Sequence, residues 1–297
     1  MSLRPFPVFM ASRAVPPKAE LPGRPVPYML AAMSTPAVAT QGLTRSFGAF
    51  TAVDNISFEV APGQFFGFLG PNGAGKSTTI KMLTGLLEPT SGSVEILGQK
   101  FSAASLDLKR EIGVVPEGMA LMGRLTASEY LCFVGRMYGL DRETTNRRTE
   151  ELLEFMNLAN EPKKLITDFS HGMQKKLALA AAVIHGPKLL FLDEPFEGVD
   201  AIAAGTLKSM LQGMIHRGAT IFLTSHVLEI VERLCSHVAI IHKGRLVANG
   251  SLDELRAGVA STLPGAEAEE RLTLEELFLN IVGAGEAEQA QELSWLA

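Results

Sequence analysis

Gly70-Pro71-Asn72-Gly73-Ala74-Gly75-Lys76-Ser77 fits the pattern G-x-x-x-x-G-K-[ST], and it lies between segments of opposite character. Before it, Phe65 to Leu69 is a short, dense apolar run that reads as a fully buried strand. After it, Thr78 to Leu87 reads as a helix. A strand that breaks into a glycine-rich turn and continues as a helix leaves few folds open. The glycines let the backbone curl tightly and aim several N–H groups at one point. The helix N-terminus adds partial positive charge at the same point. A phosphate satisfies both. Lys76 brings a full charge for the β- and γ-phosphates of a nucleotide, and the Ser77 hydroxyl is a ligand for Mg²⁺. The backbone from Gly70 through Pro71, Asn72, Gly73, Ala74 and Gly75 to Thr78 is therefore expected to cradle a nucleotide.

The other apolar runs suggest what surrounds that turn. Ile112 to Val115, Leu189 to Leu192 and Ile221 to Thr224 are as dense as the first run, and helical stretches separate most of them. That alternation predicts a parallel sheet, buried on both faces. Ile56, Phe58 and Val60 alternate with Ser57 and Glu59, and Val94 and Ile96 flank Glu95. Those read as half-exposed antiparallel strands. Ala239 to Ile241, a turn at Lys243-Gly244, and Leu246 to Ala248 read as a hairpin. The expected fold class is α/β: a P-loop NTPase (RecA-like) core over residues 39–250, with an antiparallel β subdomain and a helical subdomain at about 117–186.

The flanks differ in composition. Residues 1–38 hold eight prolines and no helical or strand period, which predicts a disordered extension. Met33 would serve equally well as a start. Residues 251–297 turn acidic, and Leu274, Leu277, Phe278 and Ile281 fall at helical spacing, predicting one amphipathic helix and a frayed tail. A net charge of −5 offers no basic stripe for nucleic acid. Cys132 and Cys235 lack metal-ligand spacing and suit a reducing compartment. The most apolar stretch, Leu177 to Leu192, is interrupted by His185, Gly186, Pro187 and Lys188, short of the roughly 20 residues a membrane helix requires.

Two acids stand where a reaction would need them. Leu189 to Leu192 leads straight into Asp193 and Glu194, at the carboxyl edge of a sheet strand, where open α/β folds bind ligands. Asp193 is expected to hold Mg²⁺ through its water shell, and Glu194 to orient and polarise the attacking water. No Asn-Lys-x-Asp guanine-reading motif occurs, which disfavours a GTPase.

Ahead of those acids, Phe169-Ser170-His171-Gly172-Met173-Gln174 resembles the signature loop of ABC ATPases, usually Leu-Ser-Gly-Gly-Gln. The resemblance runs from about Leu43 to Gly250, with every motif in family order. It implies that Ser170 and Gly172 cap the γ-phosphate of an ATP held on a second cassette, so that two cassettes sandwich two ATPs. It further implies that Phe47 stacks on adenine, that Asp200 belongs to the D-loop, and that His226 contacts the γ-phosphate. Glu194, His226 and Lys76 would carry catalysis, with ATP and Mg²⁺ as cofactors and Ser77, Asp193 and Glu117 around the metal.

The chain departs from the family in three places. Glu117 follows Val114-Val115-Pro116 where Gln is usual, placing an extra charge beside the metal. His171 and Met173 alter the signature loop, and Phe196-Glu197 follows Pro195 where Thr and a small polar residue are commoner. No catalytic group is lost. The variants resemble the subgroup serving exporters of drugs, lipids or polysaccharides. The resemblance implies a peripheral subunit at the cytoplasmic face, a separately encoded transmembrane permease, and a homo- or heterodimer of cassettes. Met119, Leu121, Met122, Tyr130, Phe133, Met137 and Tyr138 should be mostly core, some staying exposed to receive a permease helix. The alternatives are a non-transport ABC ATPase acting on nucleic acid or the ribosome, or a degenerate cassette that only binds ATP. The first lacks a second cassette or long coiled-coil insertion in this chain, and Lys76, Asp193, Glu194 and His226 oppose the second.

Overall fold

Where each strand puts its apolar residues decides which of two sheets it joins. The computed structural model describes residues 35–260 and 273–283. β1 (Val38–Phe47), β2 (Phe50–Val60), β4 (Ser91–Ile96) and β5 (Gln99–Lys100) form an antiparallel sheet in the order β2-β1-β4-β5. Ile56, Phe58 and Val60 turn inwards and the residues between them outwards, as the alternation predicts.

The second sheet contains β3 (Phe65–Leu69), β6 (Ile112–Val115), β7 (Leu189–Asp193), β8 (Thr220–Ser225), β9 (His237–His242) and β10 (Arg245–Ser251). Their order is β10-β9-β3-β8-β7-β6, and every pair is parallel except the β9–β10 hairpin. The dense runs are needed because both faces are covered. Phe66 and Phe68 of β3, Phe191 of β7 and Phe222 of β8 face the antiparallel sheet. They form one aromatic cluster with Phe58, neighbouring ring centroids lying 5.5 to 6.0 Å apart. Leu69, Leu190, Leu192, Ile221 and Leu223 face the opposite way, into a second core. Burying each such side chain contributes about 1.5–3 kcal/mol, so the two cores fix the sheet between two layers.

The helices are α1 (Lys76–Leu83), α2 (Leu106–Lys109), α3 (Ala127–Met137), α4 (Arg142–Phe155), α5 (His171–Val183), α6 (Ala201–His216), α7 (Leu228–Leu234), α8 (Leu252–Ala260) and α9 (Leu274–Gly283). α1 stops short of the expected Leu87. Gly85 takes φ +69°, and the amides of Gly85 and Leu86 bond back to Met82 and Lys81, the left-handed closure that ends a helix. α3 opens on a capping box between Thr126 and Glu129, and α4 on Asp141. With α5 they form the helical part between β6 and β7. Met122, Phe133 and Met137 stay exposed there, while Met119, Leu121 and Tyr130 pack against the core.

Leu274 and Leu277 of α9 are buried, as their spacing predicts, and α9 packs on α7, α8 and β10. α8 was not anticipated. β1 begins at Val38, whose side chain is wholly buried, one residue before the expected domain start. The proline-rich extension through residue 34 and the acidic segments 261–272 and 284–297 lie outside the described residues.

Candidate active site

Four neighbouring parallel strands end on one edge, and each delivers a polar group there. β3 runs into the glycine-rich turn, β8 ends at Ser225 before His226, β7 ends at Asp193 before Glu194, and β6 leads to Glu117. Because β8 lies between β3 and β7, His226 comes to Glu194, 32 residues earlier in the chain.

The turn is shaped by close backbone approach. Gly75 has φ +109°, and a Cβ there would sit 2.6 Å from the Ala52 carbonyl oxygen, so no other residue fits. The Gly244 amide donates to the Ala74 carbonyl and buttresses the loop from the β9–β10 turn. Lys76 is buried. Its Nζ donates to the Gly70 carbonyl at 2.7 Å and lies 3.4 Å from Glu194 Oε1.

Glu194 is held from every side. Its amide donates to Thr224 Oγ1 at 3.1 Å, and its Oε2 accepts from the His226 amide at 3.2 Å and lies 3.1 Å from His226 Nδ1. Its Oε1 is buried and makes no hydrogen bond among the described residues. Its main-chain carbonyl accepts from Lys175 Nζ at 2.8 Å. Burial lowers the pKa of the Lys175 ammonium, and the carboxylates of Glu197, Asp193, Glu117 and Glu194 oppose that shift.

Ser77 Oγ lies 3.3 Å from Asp193 Oδ1 and 3.4 Å from Glu117 Oε2, and Thr224 Oγ1 donates to that same Asp193 oxygen at 2.6 Å. A hydroxyl and two carboxylates converge, all hard oxygen donors. That set fits Mg²⁺, which takes few protein ligands and keeps the rest as phosphate and water.

Lys76, Ser77, Thr78, Glu117, Glu194 and His226 border one cavity of about 410 Å³. Phe50 borders it too, a residue the sequence reading missed. Phe47, expected at the adenine, does not line it and instead lies under the Arg45 guanidinium, 4.6 Å from the ring centre. The signal for Phe50 was its place at the start of the alternating strand. Ser170, Gly172 and Asp200 do not border the cavity. Ser170 Oγ accepts from the Met173 amide and caps α5. Asp200 caps α6, accepting from the amides of Ile202 and Ala203, bonds that hold its carboxyl below the usual range. A larger cavity, about 730 Å³, opens between α4, the end of α5 and α6, and contains none of the expected site residues. The convergent acids and lysine make the smaller one the candidate site.

The family model described as ABC transporter matches residues 53–197. The bacitracin transport ATP-binding protein of Bacillus licheniformis is 40% identical over 220 residues, 74% of this chain and 71% of that protein. The chain belongs to the ABC transporter family. The linearmycin resistance ATP-binding protein of Bacillus subtilis strain 168 is 39% identical over 215 residues, covering 72% of this chain and 69% of that protein. A solved ATP-binding subunit of an ABC transporter superposes with a TM-score of 0.74 at 32% identity, over 82% of this chain and 99% of that one. As an ABC ATPase, this chain hydrolyses ATP on a mixed α/β scaffold.

Proposed function

We propose that this ABC ATPase powers export, hydrolysing ATP at the cytoplasmic face of a membrane for a separate transmembrane permease. The convergence of Lys76, Ser77, Asp193, Glu194 and His226 at the carboxyl ends of adjacent parallel strands carries the catalytic part of this reading. Export is supported by the relatives named for bacitracin transport and linearmycin resistance. No helix among the described residues is long and apolar enough to cross a membrane, in keeping with a permease on another chain.

In this reading the turn amides and Lys76 bind the β- and γ-phosphates. Ser77, Asp193 and Glu117 would hold Mg²⁺, which would neutralise charge on the transferring phosphoryl group. His226 fixes Glu194 Oε2, leaving the buried Oε1 to accept the proton of the attacking water. His226, 40% exposed in its side chain, is free on its outer side to meet the γ-phosphate. Catalysis is then mostly positioning and charge stabilisation. Phe47 and Phe50 offer aromatic faces for adenine. Ser170, Gly172 and Asp200 meet the ATP of a second cassette. Exposed Met122, Phe133 and Met137 offer the permease an adaptable apolar contact.

The test is Glu194→Gln. Its amide keeps the shape but takes no proton, so steady-state hydrolysis should fall by about a hundredfold or more while Mg·ATP affinity survives. Undiminished hydrolysis would show that another group activates the water.

A further inference from the structure

Lys175 stands one turn into α5, yet only 2% of it is exposed. Among the described residues its ammonium makes one hydrogen bond, to the main-chain carbonyl of Glu194 at 2.8 Å. Desolvating an ammonium is costly, and an apolar side chain of the same length would fill the space without that cost. The carbonyl it meets is not an ordinary one. Glu194 takes φ +48°, a left-handed conformation that a glutamate holds only when its surroundings fix it. Of its anchors, Thr224 and His226 lie at the end of β8, and Lys76 in the glycine-rich turn. Lys175 alone among them belongs to α5.

The first turn of α5 comes close to the same stretch of chain again, with one further bond. His171 Nε2 lies 3.2 Å from the Glu197 carbonyl oxygen, and a Cβ on Gly172 would lie 3.3 Å from Asp200 Oδ2. The start of α5 is therefore bonded to residues 194–200 at two points, Lys175 to the Glu194 carbonyl and His171 to the Glu197 carbonyl, with Gly172 close beside Asp200. We propose that Lys175 is a positioning residue that locks the Glu194 backbone and ties the aim of its carboxylate to the N-terminal end of α5. No bond is made or broken at Lys175. This inference rests on the role proposed for Glu194.

The experiment is a double-mutant cycle on the full chain, with Mg·ATP as the probe. Lys175→Met should lower kcat on the order of tenfold to a hundredfold, as small misplacements of a reacting group do. KM and the Mg·ATP dissociation constant should hold, and Tm should not fall, because Met fills the site without a buried charge. Lys175→Arg, which keeps a donor, should recover most of kcat. In a Glu194→Gln background, Lys175→Met should leave the residual single-turnover rate unchanged, since it acts only through Glu194. A wild-type kcat in Lys175→Met overturns the proposal, as does the same fold-loss in both backgrounds. A Lys175→Met chain that fails to fold also overturns it, because the lysine would then serve the core. Full activity in Glu194→Gln instead sinks the role of Glu194 itself, so the two failures read differently.

Discussion

Glu194 holds a backbone conformation that costs about 1–3 kcal/mol for a residue with a side chain, and the network of Thr224, Lys175 and His226 offsets that cost. Strain of this kind collects where a side chain must be aimed rather than merely packed. Asp193, its neighbour, remains in the strand and points its Oδ1 at Ser77 and Thr224. Two adjacent acids thus face different partners because the chain bends between them. Glu117 is the looser member, exposed at the end of β6. Glu117→Gln keeps one ligand oxygen and removes one charge, so hydrolysis should persist while the Mg²⁺ requirement rises by a few-fold at most. A Mg²⁺ titration of ATPase activity measures this. Abolished activity at saturating Mg²⁺ would make Glu117 the base.

At the scale of elements, the helical part is tied to the sheet by one histidine as well as by packing. His185 follows α5, stacks on Tyr138 with centroids 3.7 Å apart, and its Nε2 lies 3.0 Å from the Ile112 carbonyl oxygen. A carbonyl only accepts, so Nε2 carries the proton, and Nδ1 is buried with no partner among the described residues. Burial, with the nearby Arg148 charge, lowers its pKa from 6.5 to about 4. Between those values the unfolded chain binds the proton and the folded chain does not, so stability rises with pH. The contribution is complete above pH 6.5 and is lost as pH falls towards about 4. Urea unfolding across this range should show a shallower pH dependence in His185→Gln than in the parent chain. Equal slopes would mean that His185 titrates normally.

For the whole molecule, the consequence of the proposed mechanism is association. Ser170 and Gly172 sit at the mouth of α5, outside the cavity that holds Lys76, so a single chain brings them to no nucleotide of its own. If they cap the ATP of a second copy, trapping ATP should trap the pair, because a ligand that binds only the closed state stabilises it by mass action. Glu194→Gln should elute from a sizing column at twice the monomer mass in Mg·ATP and as a monomer in Mg·ADP. A monomer in both would point to a heterodimer with a different cassette.

Local patterns carried much of this. The Gly70–Ser77 turn, the four dense runs and the alternating Ile56-Phe58-Val60 strand were legible because their requirements are met within a few residues: glycine conformation, burial on two faces, burial on one. The acids of β7 were legible because a strand end is a local feature. Strand order was not. It is β8 inserting between β3 and β7 that carries His226 to Glu194, and no sequence period encodes which strand is whose neighbour. The same holds for Lys175, whose burial against the Glu194 carbonyl joins α5 to a segment 19 residues later in the chain. Phe50 reached the cavity edge, and Phe47 met Arg45, through the path of the antiparallel sheet. Short-range sterics and burial set the parts, and long-range contacts decided which parts face each other.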